Sequence, residues 1–193
     1  MKLLKSLFVV LAMTLGISAT ASANQGPTDY LKSLDRQLKP LLANADQNKD
    51  KIFKIIKQML DFDRLCKDSL GKHWNQRSEA EQKDFSTTLT ALIEKNVLKR
   101  LKNTTESDVV YDSESVSANS ATVVTIVSDT SGSRPVEIEI AYKLEKKGKK
   151  WMVVDMNTDG ISLVSNYRSQ FNKIIEKDGW DKMIQKMKDK LAE

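Results

Sequence analysis

The spacing of apolar residues changes twice along this chain, from helical spacing to alternation near Val109 and back to helical spacing near Ser162. A helix brings residues three and four apart to one face, whereas a strand brings alternate residues to one face. The order of these patterns predicts helices, then a sheet, then helices. We therefore expect an α+β fold in which the helices pack on one face of an antiparallel sheet.

The best-marked helix begins at a Ser-x-x-Glu capping box, residues 78–81, in which two side chains satisfy free backbone amides at a helix start. Apolar residues follow on one helical face: Phe85, Leu89, Leu92, Ile93 and Val97. Amphipathic helices are also predicted before this segment and after the sheet region, where Asp178 and Gly179 separate two of them.

The clearest strand spans residues 136–145, in which apolar side chains alternate with mostly charged ones. Such a strand presents one face to water and the other to the interior. Residues 122–127 and 151–156 are more uniformly apolar, which is typical of central strands. Together these segments predict a meander of about four antiparallel strands within one domain, residues 24–193.

The first 23 residues have the features of a secretory leader. Lys2 and Lys5 precede an apolar run at residues 7–17, and small residues at positions 21–23 suit a signal peptidase. We predict cleavage after Ala23 and a periplasmic location. The run is too short to span a bilayer, and no later segment reaches eighteen consecutive apolar residues, so a soluble mature protein is expected.

The charge of the chain is only mildly positive. Removing the leader lowers the formal net charge from +5 to +3, which is 29 basic minus 26 acidic residues. Charges of both signs are interspersed, and export also argues against a nucleic-acid partner. The exception is residues 143–150, where five lysines face a single acid, Glu145. This segment is interpreted as a hairpin tip, with contact to anionic lipid headgroups as the alternative.

No catalytic or metal-binding motif is present. The chain lacks phosphate-loop, zinc-hydrolase, dithiol and serine-hydrolase patterns, and it holds one histidine and one cysteine. We expect neither a metal nor a cofactor, and we interpret Cys66 as a buried small hydrophobe. His73 with Asp155 would form an acid–base pair if a pocket held both. In the alternative, Gly71 ends a helix, His73 bonds near its carbonyls and Trp74 anchors the next loop.

Two blocks of sequence resemble the MlaC family, also called toluene-tolerance or auxiliary ABC-transport proteins. One is residues 59–74 with Phe85, which contains Leu70-Gly71-Lys72-His73-Trp74. The other is residues 151–171, where Trp, Val-x-Asp, Gly-Ile-Ser-Leu and Asn-Tyr-Arg-x-Gln-Phe stand in the family's order and spacing. The resemblance extends over residues 30–191. Members of this family are soluble periplasmic carriers of phospholipid.

The resemblance implies that the helices stand away from the sheet and leave an apolar pocket for acyl chains. On composition alone, a dry core in which the helical and strand stripes meet is favoured. With the resemblance, we assign lipid-binding positions by periodicity and take Arg168 as a candidate neighbour of the headgroup phosphate. The lipid-binding candidates are Leu65, Trp74, Phe85, Leu89, Leu92, Ile93, Val124, Ile126, Ile138, Ile140, Tyr142, Val153, Leu163, Tyr167 and Phe171.

The function implied by the resemblance is transport without catalysis. A monomer would carry phospholipid between an outer-membrane lipoprotein complex and an inner-membrane ABC transporter with an MCE-type subunit, which maintains the lipid asymmetry of the outer membrane. Two alternatives remain open. One is a small α+β pocket enzyme that uses His73 and Asp155. The other is an adaptor that binds the transporter subunits, has a filled core and carries no lipid.

Overall fold

The computed structural model describes residues 25–103, 108–129 and 136–193, which form four α-helices and a 3₁₀ helix, a five-stranded sheet and two further helices. The predicted α+β order is therefore confirmed. The helices before the sheet are α1 (Pro27–Leu42), α2 (Lys49–Met59), α3 (Phe62–Leu70), the 3₁₀ helix (Gly71–Gln76) and α4 (Glu79–Asn103). The strands are β1 (Asp108–Val116), β2 (Ser120–Asp129), β3 (Val136–Lys147), β4 (Lys150–Thr158) and β5 (Ile161–Ser162), and the last helices are α5 (Leu163–Asp178) and α6 (Trp180–Ala192).

The capping box at the start of α4 forms as the sequence predicts. The Ser78 backbone N–H and hydroxyl both donate to Glu81 Oε2 at 2.8 Å, and the Glu81 N–H donates back to Ser78 Oγ at 3.3 Å. These hydrogen bonds from Ser78 lower the pKa of the Glu81 carboxyl, because they stabilise its charged form. Two orphan amides are thereby satisfied at the start of a 25-residue helix.

The sheet is an antiparallel meander in the order β1-β2-β3-β4-β5. It has one strand more than expected, because β5 is only two residues long and shows no alternation in the sequence. Directly paired residues point to the same side of a sheet. Val123 pairs with Tyr142, and Leu144 pairs with Val153, so these four side chains share one side, which we call the inner face.

Helices cover the part of the inner face around Val123, Leu144 and Val153. The N–H of Thr28, in the first turn of α1, donates to Glu114 Oε2 at 2.8 Å, and the Tyr111 hydroxyl donates to Asp35 Oδ2 of α1 at 3.3 Å. The N–H of Asp61, between α2 and α3, donates to the Val153 carbonyl at 2.9 Å. A carboxylate at the start of α1 also opposes the positive end of the helix dipole.

The core is one cluster of buried residues with two parts that are in contact. Where β2, β3 and β4 meet α1, α2 and α3, Val123, Leu144 and Val153 are almost completely buried. Among α3, α4, α5 and α6, the Phe85 ring packs edge-on against Phe171, with ring centroids 5.3 Å apart. Because no disulfide is available to Cys66, apolar burial is the main source of stability.

Gly71 allows the close contact between the end of α3 and α5. Its backbone has φ +56°, and an added Cβ would lie 3.2 Å from Cδ and Nε of Arg168. We expect Gly71→Ala to lower the free energy of unfolding by about 2–4 kcal/mol, because strain and overlap add. Gly148→Ala is the matched control, since its φ is +66° but no atom lies within 4 Å, and we expect a loss of roughly 1–2 kcal/mol. Urea unfolding measures both, and equal losses would contradict a role for Arg168.

Candidate functional site

The inner face of the sheet is buried in its middle and partly open at one end, and Val116, near the other end of the edge strand β1, is also 52% exposed. Val123 and Leu144 are 0% and 1% exposed, whereas Val109, Val136 and Ile161 are 38%, 56% and 63% exposed. Strand pairing places the exposed residues together, since Val109 pairs with Val127, which pairs with Ile138, and Thr158 pairs with both Ile140 and Ile161. We call this surface the open apolar end, and it consists of Val109, Val127, Val136, Ile138, Ile140 and Ile161.

Polar groups beside the open apolar end are satisfied by one another. The Tyr111 hydroxyl donates to Asp35, and the Thr125 hydroxyl donates to the Ile140 carbonyl at 3.3 Å. Burial raises the pKa of Tyr142 to about 12 and also raises the pKa of Tyr111, which the nearby Asp35 carboxylate raises further. Both phenols are therefore neutral at neutral pH. The two tyrosines therefore add no charge to the apolar surface. The neighbouring Asp35 carboxyl is ionisable, and burial raises its pKa.

Seven of the fifteen lipid-binding candidates lie in the packed core. Phe85, for example, contacts Phe171 and also Trp180, with centroids 6.1 Å apart in the second pair. α4 packs mainly on α3 and α6, so its apolar stripe is covered by other helices. These candidates fill the interior of the protein: Leu65, Phe85, Leu89, Leu92, Ile93, Val153 and Phe171.

Six further candidates are half-buried: Trp74, Ile138, Ile140, Tyr142, Leu163 and Tyr167. Ile138 and Ile140 belong to the open apolar end, and Tyr142 is next to them on the inner face. Leu163 begins α5 two residues after Ile161. The Tyr167 ring stacks on Phe171 at 5.6 Å between centroids, which turns it toward the helical core. Trp74 lies in the 3₁₀ helix, and its carbonyl accepts from Gln82.

The last two candidates, Val124 and Ile126, are on the outer face of the sheet. Val124 pairs with Ala141 and Ile126 with Glu139, so both point away from Ile138 and Ile140. The structure therefore does not place these two side chains with the rest of the candidate set. Residues 122–127 are apolar on both faces, so periodicity in β2 does not distinguish one face from the other. Conversely, the candidate set omitted Val136, which lies in the open apolar end. The alternation of residues 136–145 in the sequence was the signal that could have identified it.

Arg168 holds two helices together. Its Nε donates to the Asp68 carbonyl, near the end of α3, at 2.7 Å, and its side chain lies against Gly71. A terminal helix carbonyl is a favourable position for a cation. These contacts favour a residue without a side chain at position 71, and they give Arg168 a structural role.

His73 and Asp155 are not hydrogen-bonded to each other in the described part of the chain. Asp155 accepts from the Met156 and Val164 N–H groups and from the Ser162 hydroxyl, at 2.7–3.1 Å, and so helps to cap α5. The His73 Nδ1 lies 3.4 Å from Gln76 Oε1. Cys66 is fully buried, and burial raises the pKa of its thiol to about 11, which suppresses the reactive thiolate.

Two cavities, of about 290 and 440 Å³, lie elsewhere. The smaller is lined largely by outer-face residues of β1, β2 and β3, and the larger lies between α1, α2 and the start of β4. None of the lipid-binding candidates lines either cavity. Within residues 25–103, 108–129 and 136–193, no helix is long and apolar enough to cross a membrane, and no group of side chains is arranged to hold a metal ion.

The fold is similar to that of a phospholipid-binding protein from Ralstonia solanacearum, whose structure was solved in complex with a phospholipid. The two proteins superpose with a TM-score of 0.72 at 21% sequence identity, over 84% of this chain and 95% of the other. None of the curated proteins compared with this chain matches it. The family model described as MlaC protein matches residues 27–189. This range covers every described helix and strand except the last three residues of α6. The chain belongs to the MlaC protein family.

Proposed function

We propose that this protein is a periplasmic phospholipid carrier that binds the acyl chains of its lipid against the open apolar end of the sheet. The observation that carries the proposal is the increase in side-chain exposure along the inner face, from complete burial at Val123 to 56% exposure at Val136. A contiguous apolar surface that the described helices do not cover is typical of a binding site. Membership in the MlaC family and the phospholipid bound by the Ralstonia protein support the same ligand class.

A carrier is needed because phospholipids do not diffuse freely through water. Two chains of about fifteen carbons expose hydrocarbon worth roughly 20 kcal/mol, at about 0.8 kcal/mol per methylene. A surface made of Val and Ile is nearly as apolar as the bilayer, so moving the chains between the two environments costs little. The phosphate of the headgroup stays near water, because burying an unpaired charge is costly.

The lipid contacts that we propose are the half-buried candidates on the inner face of the sheet: Ile138, Ile140 and Tyr142. Leu163 is included because it follows β5 at the same end of the sheet. The fully buried candidates, such as Phe85 and Leu89, support the fold instead. Acyl chains then lie along the inner face from the open apolar end, and α1, α5 and the sheet separate to admit them.

Membership in the MlaC family supports a wider proposal. We propose that residues 1–23 are removed on export and that residues 24–193 act as one monomeric domain. This domain moves phospholipid between an outer-membrane lipoprotein complex and an inner-membrane ABC transporter with an MCE-type subunit. Asp155 caps α5, and His73 lies beside Gln76, so these two side chains support the carrier function over the pocket-enzyme alternative.

The mature protein, purified without detergent, is expected to carry phospholipid in near 1:1 ratio by native mass spectrometry. Denaturing mass spectrometry of the same sample should show the protein mass alone, which proves that the extra mass is not covalent. Refilling protein that has been stripped with organic solvent should raise its unfolding midpoint, because the ligand binds only the folded state. Repeated isolation of empty protein, with no midpoint change on adding phospholipid, would refute the proposal.

A further inference from the structure

A concave surface lies at the opposite end of the sheet from the open apolar end. This cleft, of about 440 Å³, is formed by α1, the end of α2 and the start of β4. Lys147, at that end of β3, is seven residues from Ile140, a separation of roughly 23 Å along a strand. We call this surface the basic cleft. The residues that matter in it are Leu34, Lys57, Gln58, Lys149, Lys150 and Trp151.

Two nearly buried apolar side chains lie at the floor of the basic cleft, and hydrogen bonds hold the elements around it. Leu34 and Trp151 are 4% and 6% exposed, so only an edge of each side chain is accessible. The Trp151 indole N–H donates to the Gln25 carbonyl at 3.2 Å, and the Tyr30 hydroxyl donates to the Gln58 carbonyl at 2.7 Å. These two hydrogen bonds fix α1 against α2 and β4, so the cleft is already formed before anything binds.

The walls of the cleft carry unbalanced positive charge. Lysines 57, 149 and 150 line it, and no acidic residue among those that the structure describes does. Lys57 is paired with Glu94 at 2.8 Å, but the structure gives no ion pair for Lys149 or Lys150 within the described ranges, and both are exposed. The other lysines of residues 143–150 have partners: Lys143 pairs with Asp155, Lys147 with Asp61, and Lys146 lies over the Trp151 ring at 5.0 Å.

We propose that the basic cleft receives an acidic, extended segment of a partner protein. Two carboxylates pair with Lys149 and Lys150, and an apolar side chain between them contacts the accessible edges of Leu34 and Trp151. A flat membrane surface does not reach the floor of a concave cleft, and two free lysines are fewer than the four to eight that mark lipid-surface sites. Charge complementarity with an apolar anchor is typical of protein recognition instead.

This inference rests on the proposed function in one respect, that a carrier must be received by the proteins that load and unload it. The geometry of the cleft is independent of lipid. The peptide-binding proposal depends on Lys149 and Lys150, whereas the lipid-binding proposal depends on the open apolar end. Each proposal can therefore fail without the other.

The test is NMR titration of the ¹⁵N-labelled mature protein with a synthetic octapeptide, Glu-Ala-Glu-Leu-Glu-Ala-Glu-Leu. Shift changes should concentrate on residues 25–37, 57–58 and 149–152, and they should be absent with the peptide in which Gln replaces every Glu. The double variant Lys149→Glu/Lys150→Glu should weaken binding by roughly tenfold or more, because two attractions become repulsions. The matched control is Lys173→Glu/Lys177→Glu on α5, which makes the same change in net charge at exposed lysines and should bind as the parent does.

Three results of the binding experiments would overturn the proposal. They are the absence of localised shift changes, equal weakening in the two double variants, and binding to phosphatidylglycerol vesicles that depends on Lys149 and Lys150 while the peptide gives no response. The last result would assign the cleft to a membrane surface. Phospholipid content by native mass spectrometry should be the same in the Lys149→Glu/Lys150→Glu protein and the parent. A loss of lipid in that variant would also overturn the proposal, because the cleft would then belong to the lipid site.

Discussion

Ile140→Asp is expected to lower the amount of phospholipid that copurifies with the protein by more than tenfold. Ile140 is half-buried in the middle of the open apolar end, in register with Thr125 and Thr158. An aspartate there places a carboxylate against hydrocarbon, and an unpaired charge in such surroundings costs several kcal/mol. Native mass spectrometry of the variant and the parent, purified side by side, measures the ratio of lipid to protein.

Ile126→Asp is the matched control for this experiment. Ile126 is also half-buried and is in the adjacent strand, but it pairs with Glu139 on the outer face. The same substitution at this position should leave the lipid content unchanged. Thermal unfolding of both variants shows whether either has lost its fold. Loss of lipid in both folded variants, or in neither, would mean that the open apolar end is not where acyl chains bind.

Phe85→Ala is expected to have the largest effect on stability, a loss of about 3–5 kcal/mol in the free energy of unfolding. Phe85 is fully buried and contacts the rings of Phe171 and Trp180, so truncation leaves a cavity where three helices meet. Equilibrium unfolding in urea measures the loss. Protein that remains folded should still carry lipid, because Phe85 lies in the helical core.

Phe53→Ala serves as the comparison for Phe85→Ala. Phe53 is half-buried on α2, with the Lys49 ammonium 5.6 Å from its ring centroid, and we expect a loss of only about 1–2 kcal/mol. If Phe85→Ala were to cost no more than Phe53→Ala, or if it emptied the folded protein of lipid, Phe85 would have to be moved from the core to the binding surface.

Local sequence signals predicted the elements of this fold well. The capping box at Ser78 and Glu81 forms as predicted, because it depends on residues within one helical turn. The alternation of β3 gave the correct inner face, on which Tyr142 and Leu144 lie. The lysine-rich segment is a hairpin turn in which Lys147 pairs with Lys150, as its Gly148 indicated.

The candidate site was only partly predictable for two physical reasons. In β2, both faces are apolar, so only the pairing with β3 showed that Val124 and Ile126 point outward. In the helices, an apolar stripe is the same whether it lines a pocket or packs against another helix. The contact of Phe85 with Phe171 therefore had to be seen in three dimensions.

By itself, the sequence determined the order of the elements, the α+β class and the family, because these depend on periodicity, capping residues and short motifs that are local along the chain. Only the tertiary structure decided which apolar residues are packed and which are left half-exposed at the open apolar end. It also decided that Arg168 joins α5 to α3 and that Lys149 and Lys150 face a cleft. Burial and charge pairing join residues far apart in sequence, and such contacts are set only when the chain has folded.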